Sequence, residues 1–316
     1  MKNSGHFISC DWGTSNFRIR LVEADSLEVI EEYTSEQGIK TLYQQFLLQT
    51  AQNQTNFFKN YLFSQIKNLS NWNQAKLIVV AGMASSNIGL LELEYAHVPF
   101  TANGADLKYK LISCQNNLDI LLISGVKDSL GMMRGEEIQA IGLAKHLKPY
   151  QSGILILPGT HSKHIDYQNE SFTSLKSFMT GELFELLSSK SILSNSVEAS
   201  AWSEARKAAF EAGLAIGFKG QMNQNLFAIR AKHLLQNENP KNSFFMLSGM
   251  LIGDELSYLQ DSNQTVFLAA DQPFFDLYQL GLQSILPQPQ IVTFSGSDLE
   301  KAFLTGQKQI LEVYDK

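Results

Sequence analysis

The chain has 316 residues, 44% of them apolar and 18% charged, a composition that predicts a soluble globular protein and excludes a disordered one. Its formal net charge of −6 argues against a nucleic-acid-binding protein, because no cluster of lysines and arginines is available to neutralise a run of phosphates. The two cysteines, Cys10 and Cys114, fit neither a metal-binding nor a disulfide pattern, so we expect both to be packing residues.

The first eleven residues lack the apolar core of a signal peptide, because Asp11 interrupts the short apolar run. No apolar stretch approaches the ~20 residues that a membrane span requires. We therefore expect a cytoplasmic protein with no membrane partner.

Residues 7–20, FISCDWGTSNFRIR, predict a β-hairpin with a carboxylate at its tip. Asp11 ends the first strand, and the turn after it offers backbone N–H groups and hydroxyls from Gly13, Thr14, Ser15 and Asn16. Such a turn suits a phosphate, and Asp11 suits the Mg²⁺ that accompanies it. The same residues are also ordinary for a structural turn, so this hairpin alone leaves both interpretations open.

The rest of the first half alternates strands and helices. A strand is expected over 28–35, one or two helices over 41–69, and a buried strand over 75–82 that opens into the loop MASSNIG. We expect a loop at 99–103, a strand at 107–113, a second buried strand at 118–124 and a helix that ends before Pro149. The dense aromatic side chains of the first helices suit core packing or a homodimer interface, namely Phe57, Phe58, Tyr61 and Phe63.

The second half begins with a second hairpin of the same design. Residues 153–167, GILILPGTHSKHIDY, combine an apolar strand, a Gly-Thr turn and another strand. The segments expected after it are a strand near 172–178, a helix from Thr180, inserted helices over roughly 203–235 and 243–259, strand 265–269, helix 273–286, strand 290–294 and helix 299–314. Two such hairpins half a chain apart predict a duplicated α/β fold, with domains 1–149 and 150–316 and phosphates held between them.

This duplicated β-β-β-α-β-α-β-α plan resembles the actin, hexokinase and Hsp70 superfamily, whose two ribonuclease-H-like domains bind a nucleotide in an interdomain cleft. At a finer level, six ordered blocks resemble those of the 2-dehydro-3-deoxygalactonokinase family: DWGTSNFR, AGMASSNIG, MMRGEE, LPGTHSK, FMTGELFELL and LSGMLIGDEL. The resemblance implies a kinase that uses ATP and Mg²⁺ to phosphorylate the 6-hydroxyl of a small sugar acid, 2-dehydro-3-deoxy-D-galactonate.

The resemblance also implies roles for both hairpins. Asp11 would hold the metal, and the ATP phosphates would be lined by Gly13, Thr14, Ser15 and Asn16. The second phosphate loop would comprise Gly159, Thr160, His161, Ser162 and Lys163, with Lys163 a point charge for the β- or γ-phosphate. Lys163 also fits a solvated strand position and His161 a surface turn, so both roles stay open at this point.

The base that accepts the hydroxyl proton is expected where related sugar kinases have it, at the start of the helix after the last strand of the first domain. This chain has Arg134, Gly135, Glu136 and Glu137 there, and Glu136 is the first choice. One of the two glutamates is expected to be only a favourable first-turn residue of the helix. Asp11 and Glu182 are the other candidates for the base.

Several side chains are candidates for holding the sugar acid. Arg134 suits its carboxylate through a two-pronged bond, or else an ion pair or helix cap within the protein. The loop after the buried strand offers Ser85, Ser86 and Asn87 to the sugar hydroxyls. Arg18, Thr180 and Glu182 complete the set, although Thr-Gly-Glu is also a plain helix start.

The expected adenosine-binding element departs from the superfamily pattern. Glycines usually end its strand, but this chain has Ala269, Ala270 and Asp271. A methyl group on Ala270 would crowd an adenine that approaches the backbone closely, which puts the affinity for ATP or the choice of nucleotide in question.

Two alternative functions remain open from the sequence. One is a kinase for another 2-keto-3-deoxy sugar acid or sugar. The other is a non-catalytic ATP-binding regulator of the same fold, in which nucleotide binding drives domain closure.

Overall fold

The computed structural model describes residues 5–114 and 118–314. Residues 1–4, the start of the stretch considered for a signal peptide, lie outside the described residues. The chain forms two compact units. The first comprises the described residues up to Gln151, Tyr167–Leu175 and the described residues from Leu299, and the second comprises Ser152–Asp166 and Lys176–Asp298.

The first part of the chain is built around one large sheet. Its elements are β1 (His6–Trp12), β2 (Phe17–Glu23), β3 (Val29–Ser35), α1 (Ile39–Leu47), α2 (Gln54–Ile66), β4 (Leu77–Gly82), β5 (Ala96–His97), β6 (Phe100–Thr101), β7 (Tyr109–Ile112), β8 (Asp119–Ile123), β9 (Val126–Lys127), β10 (Met132–Met133) and α3 (Glu136–Leu147). The large sheet has the order β3-β2-β1-β4-β8-β7. Its first three strands are antiparallel, β4 and β8 continue parallel to β1, and β7 is antiparallel to β8.

The second part repeats this design and inserts extra helices. Its elements are β11 (Ser152–Leu157), β12 (Ser162–Gln168), β13 (Ser171–Phe178), α4 (Thr180–Ser189), α5 (Lys207–Gly217), α6 (Met222–Gln236), α7 (Pro240–Leu256), β14 (Val266–Ala269), α8 (Phe274–Gln283), β15 (Ile291–Phe294) and α9 (Gly296–Tyr314). The strand order is β15-β14-β11-β12-β13-β6, and β11, β14 and β15 are parallel. Short 3-10 helices lie at Trp72–Gln74, Met83–Ser85, Ile192–Asn195, Glu204–Arg206, Ser257–Leu259 and Gln288–Gln290.

Five of the six strands in each sheet share one topology. The order β3-β2-β1-β4-β8 of the first corresponds, strand for strand in chain order, to β13-β12-β11-β14-β15 of the second. This is the duplicated α/β plan that the two hairpins predicted, in the ribonuclease-H-like form that the superfamily resemblance implied, and the prediction of the fold class is confirmed. The sheet duplication lies on either side of residue 150, so we keep 1–149 and 150–316 as the proposed domains, although the last helix belongs mostly to the first compact unit.

Each unit has its own apolar core. In the first unit Trp12, Phe17 and Phe58 are fully buried, and the aromatic cluster of α2 packs on them, with Phe57, Tyr61 and Phe63 partly buried against the same core. This packing supports the core interpretation of that cluster. Cys10 is buried, Cys114 is half-buried and both are free thiols, as expected for packing residues.

The structure differs from the sequence expectations in its shortest elements. Residues 99–103 were expected to form a loop, but Phe100–Thr101 forms the two-residue strand β6, which pairs with Phe172 and Ser171. Strands β5, β9 and β10 form a separate three-stranded sheet that the sequence did not predict. None of the helices formed by residues 5–114 and 118–314 is long and apolar enough to cross a membrane.

Candidate active site

The turn of the first hairpin is held by hydrogen bonds from the start of α1, and its residues 14–16 are exposed to solvent. The N–H groups of Gly38, Ile39 and Lys40, at the start of α1, donate to carbonyl oxygens of the turn at 3.0 to 3.1 Å. The exposed turn residues Thr14, Ser15 and Asn16 have backbone N–H groups that donate no hydrogen bond within the described part of the chain. Because these donors are held in place and left free, the geometry supports the phosphate interpretation of this turn.

Asp11 lies at the carboxyl end of β1, between Arg18 of β2 and Ala81 of β4. Its carboxylate makes no hydrogen bond or ion pair with any described residue. Burial raises the pKa of the Asp11 carboxyl, the positive charges of Arg18 and Arg20 oppose this, and the negative charge of Glu136 adds to it. A half-buried carboxylate without a partner is costly unless a ligand or ion uses it.

Glu136 lies near Asp11, where the backbones of Gly82 and Gly135 approach each other. Gly82 ends β4 and Gly135 precedes α3, and a methyl group on Gly135 would lie 3.6 Å from the Cα atom of Gly82. The backbone of Gly135 has φ +108°, a conformation that favours glycine. The sequence element MMRGEE therefore delivers the first residue of α3 to the strand end that carries Asp11.

The two glutamates of α3 have different environments. Glu136 is half-buried, and its Oε2 accepts a hydrogen bond from the Arg134 backbone N–H at 3.0 Å. Glu137 is 1% exposed, and both of its carboxyl oxygens accept from the Gly135 N–H, at 2.8 and 2.9 Å. Burial, followed by the charge of Glu136, raises the pKa of Glu137 to about 8. Glu136 is thus the glutamate that can face a substrate.

The side chain of Arg134 donates hydrogen bonds to the segment after β4. Its Nη1 donates to the carbonyl oxygen and the Oγ of Ser85 at 2.5 and 2.6 Å, and its Nε donates to the Tyr95 hydroxyl at 3.0 Å. The guanidinium also lies 4.0 Å from the centre of the Tyr95 ring. This geometry supports a positioning role for Arg134, and the contact to the substrate carboxylate stays a prediction.

The other predicted sugar-binding residues of the first unit differ in whether their side chains already have partners within the protein. Ser85 and Ser86 are buried and their hydroxyls donate to Gly82 and Met83 carbonyl oxygens. Asn87 is exposed, and its side chain makes no hydrogen bond within the described residues. Arg18 pairs with Glu300 at 2.9 Å. Asn87 is therefore the member of this set whose side chain is open to a ligand.

The second hairpin is joined to the start of α4. Nε2 of His161 lies 2.6 Å from Glu182 Oε2, and the Glu182 N–H donates to the Thr160 carbonyl oxygen at 3.0 Å. Lys163 is buried, and its Nζ donates to the His161 carbonyl oxygen at 2.6 Å. His161 and Glu182 consequently brace the loop that contains Gly159, Thr160 and Lys163.

A buried polar network behind this hairpin was missed from the sequence. His164, the residue after Lys163, bonds through Nε2 to Glu255 Oε1 at 2.8 Å, and Glu255 is 2% exposed. Burial raises the pKa of the nearby Tyr258 and Tyr278 hydroxyls. A usable signal was present, because Asp254 and Glu255 are the acidic residues of an otherwise apolar block, LSGMLIGDEL.

The second unit contains a cavity of about 500 Å³ beside the start of α4. Its walls are largely aromatic, with Phe184, Trp202, Phe244, Phe245, Phe274 and Tyr278, and its polar groups include Ser200, Ser248 and Gln272. Ala270 is not one of its lining residues, because it is 2% exposed and packs in the core of this unit. The residues of this segment that do line the cavity start at Gln272, two positions after Ala270.

The residues at the end of β1 fit a magnesium ion. Mg²⁺ is usually held by one or two carboxylates together with phosphate oxygens and water. Asp11 supplies an unpartnered carboxylate beside Glu136, with free N–H donors for phosphates in the next turn. Among the described residues no group of three or more His, Cys, Asp or Glu side chains is arranged to hold a metal ion, and a magnesium site of the usual kind needs no such group.

Comparison with known proteins gives a consistent result. Residues 11–308 match the family model described as 2-keto-3-deoxy-galactonokinase. The chain is 29% identical to the 2-dehydro-3-deoxygalactonokinase of Escherichia coli (strain K12) over 289 residues, 89% of this chain and 91% of that protein. It is 30% identical over 265 residues, 81% of each chain, to a Rhizobium meliloti (strain 1021) protein named "Probable 2-dehydro-3-deoxygalactonokinase DgoK1". A crystal structure of a candidate 2-dehydro-3-deoxygalactonokinase from Sinorhizobium meliloti superimposes with a TM-score of 0.82 at 27% identity, covering 96% of both chains.

Proposed function

We infer the chemistry of this chain from one premise, that it belongs to the 2-keto-3-deoxy-galactonokinase family. The family model covers nearly the whole chain, which confirms the membership predicted from the six sequence blocks. The chain is accordingly an enzyme, an ATP-dependent sugar-acid kinase.

The reaction that we propose transfers the γ-phosphoryl group of ATP to the 6-hydroxyl of 2-dehydro-3-deoxy-D-galactonate. The observation that carries this proposal is a pair of neighbouring carboxylates, Asp11 near the end of β1 and Glu136 at the start of α3. The hydroxyl oxygen forms a bond to phosphorus, the bond from phosphorus to the ADP oxygen breaks, and Glu136 takes the hydroxyl proton. Because ATP is a cytoplasmic metabolite, we place the reaction in the cytoplasm.

Arg134 and Asp11 support this step in different ways. The backbone N–H of Arg134 donates to Glu136 Oε2 at 3.0 Å, which helps to fix the orientation of the carboxyl group. Asp11 would hold Mg²⁺, and Thr14, Ser15 and Asn16 would donate to phosphate oxygens. A bound Mg²⁺ ion offsets the negative charge of the phosphates during transfer.

We assign the nucleotide base to the cavity of the second unit. Aromatic walls suit an adenine ring, which stacks on such side chains, and the few polar groups would fix its orientation. The second hairpin lies at the same end of α4, and Lys163 adds a cation there for the nucleotide phosphates. The core position of Ala270 removes its methyl group from this cavity, which supports ordinary binding of ATP.

The test is ADP release with Mg-ATP and 2-dehydro-3-deoxy-D-galactonate, beside the gluconate epimer and a blank without acceptor. We expect ADP release that depends on the galactonate form. Equal rates with both epimers would make this a broader 2-keto-3-deoxy sugar-acid kinase. An ADP-release rate that is the same with and without an acceptor would contradict the proposal and favour a nucleotide-driven regulator.

Variants of the two glutamates locate the base in the same assay. Glu136→Gln is expected to lower kcat by about 100-fold or more, because a general base contributes about 10²–10⁴ in rate, and to leave KM for the sugar acid within about threefold. Asp11→Asn should abolish turnover while the protein stays folded. If Glu137→Gln shows the kcat loss and Glu136→Gln does not, the base is the buried glutamate.

A further inference from the structure

A carboxylate inside the second unit receives hydrogen bonds from three separate elements. Glu255, near the end of α7, accepts at Oε1 from Nε2 of His164 in β12, at 2.8 Å. Its Oε2 accepts from the hydroxyl of Tyr278 in α8 at 2.7 Å and from the hydroxyl of Thr180 in α4. The Glu255 residue is 2% exposed. Three donors satisfy a buried carboxylate in its charged form, which is the condition for keeping such a group in a protein interior.

The partners of Glu255 belong to two different parts of the proposed nucleotide site. Thr180 and Tyr278 line the 500 Å³ cavity. His164 follows Lys163 directly in β12, the second strand of the second hairpin. A further bond of 3.0 Å joins the Tyr278 hydroxyl to Ser162, at the start of that strand. The network therefore connects the cavity wall to the hairpin through buried groups only.

We propose that Glu255 is a positioning residue that fixes the distance between the second hairpin and the cavity. One nucleotide can then bind with its base in the cavity and its phosphates at the hairpin. This inference rests on the proposed nucleotide site. Glu255 touches neither the base nor the phosphates. Its effect passes through His164 on one side and through Thr180 and Tyr278 on the other.

The matched change is Glu255→Gln, which keeps the shape and removes the charge. A glutamine amide accepts at only one of its two ends, so its nitrogen must face either the Thr180 and Tyr278 hydroxyls or Nε2 of His164, and the bond that Glu255 accepts there is lost. The hairpin then loses its fixed distance from the cavity wall, while the wall itself remains. Binding of a base with phosphates should suffer more than binding of a base alone.

The experiment compares ADP with adenosine by isothermal titration calorimetry on the full chain. For Glu255→Gln we expect ADP affinity to fall by about tenfold or more and adenosine affinity to change by less than about threefold. Glu211→Gln, the same chemical change at an exposed position of α5, should match the wild type for both ligands. An unchanged ADP affinity in Glu255→Gln would overturn the proposal. Equal losses for ADP and adenosine would do so too, because they would indicate a merely structural role.

A second variant keeps the inference testable if Glu255→Gln does not fold. His164→Phe removes one donor to Glu255 and leaves every residue that lines the cavity unchanged. It should weaken ADP by about threefold or more with adenosine unchanged. In the double variant the two losses should be less than additive, because both act through one network. Fully additive losses would contradict a shared network.

The outcomes separate this inference from the proposed reaction. A wild-type protein that binds ADP and adenosine but does not phosphorylate the sugar acid would refute the reaction and leave the role of Glu255 intact. A wild-type protein that binds neither ligand would overturn the role of Glu255, whatever the turnover assay shows.

Discussion

Glu136 and Glu137 are adjacent in the sequence, but α3 gives them opposite environments. Consecutive helix residues point about 100° apart, so one glutamate can reach the strand ends while the next is buried. Glu137 caps the Gly135 turn with both oxygens and is buried, while Glu136 stays half-buried beside Asp11. Below its raised pKa of about 8, Glu137 is protonated and adds no negative charge to that of Asp11 and Glu136.

The pKa of Glu137 predicts a dependence of stability on pH. Burial raises the pKa of the Glu137 carboxyl from its ordinary value of 4.5 to about 8 in the folded chain. Between these values the folded chain binds a proton that the unfolded chain does not, so stability falls as pH rises through this window. Glu137→Gln cannot lose a proton. The wild-type free energy of unfolding, relative to that of the variant, should therefore decrease by up to about 1.4 kcal/mol per pH unit from pH 5 to pH 8.

Urea unfolding of both proteins at pH 5, 6, 7 and 8 measures this difference. Glu211→Gln, at an exposed position, should differ from the wild type by a constant amount over the same range. A constant difference for Glu137→Gln would mean that Glu137 is ionised in the folded protein.

At the scale of elements, glycines let the helices α5 and α7 pack closely against each other. Methyl groups placed on Gly213 of α5 or Gly249 of α7 would overlap backbone carbonyl oxygens of the facing helix. Two further glycines, Gly217 and Gly253, extend this contact by one turn on each helix. The block LSGMLIGDEL thus serves two purposes, because its glycines let α5 approach and its Glu255 bonds to the hairpin.

Gly249→Ala should therefore destabilise the protein. Its methyl group meets backbone atoms, which cannot move aside as a flexible side chain can, so a loss of about 1–3 kcal/mol or more is expected from overpacking. Urea unfolding measures the loss. Gly5→Ala is the control, because no atom lies within 4 Å of the new methyl group there. Equal stabilities of the two variants would show that α5 and α7 can separate without cost.

The elements that the sequence predicted well are those with a long periodic signal. Helices α1, α2 and α5 to α9 and the buried strands β4 and β8 lie close to their expected positions. Strands β5, β9 and β10 have two residues each, too few for an alternating pattern, and they depend on contacts that are distant in sequence. Glu255 was missed for a related reason, since its partners lie 23 to 91 residues away.

At the scale of the whole molecule, the duplicated sheets carry different chemistry at equivalent positions. In the first hairpin the strand before the turn ends in Asp11-Trp12, whereas in the second it ends in Ile156-Leu157, with no carboxylate there. The sequence could predict the two hairpins, because the Gly-Thr turns are local. It could not predict the cavity, whose walls come from residues 180 to 278, or the burial of the Ala270 methyl group.

The three tryptophans of the chain allow a test of which unit binds the nucleotide base. Trp202 lines the cavity of the second unit, whereas Trp12 is fully buried in the core of the first and Trp72 lies in a short 3-10 helix of the first. An adenine ring stacked in the cavity should quench the fluorescence of Trp202 and leave the other two unchanged. Titration with adenosine should therefore quench the wild type, Trp72→Phe should retain the quenching, and Trp202→Phe should lose most of it. Full quenching in Trp202→Phe would show that adenine binds elsewhere, because neither remaining tryptophan lies at this cavity.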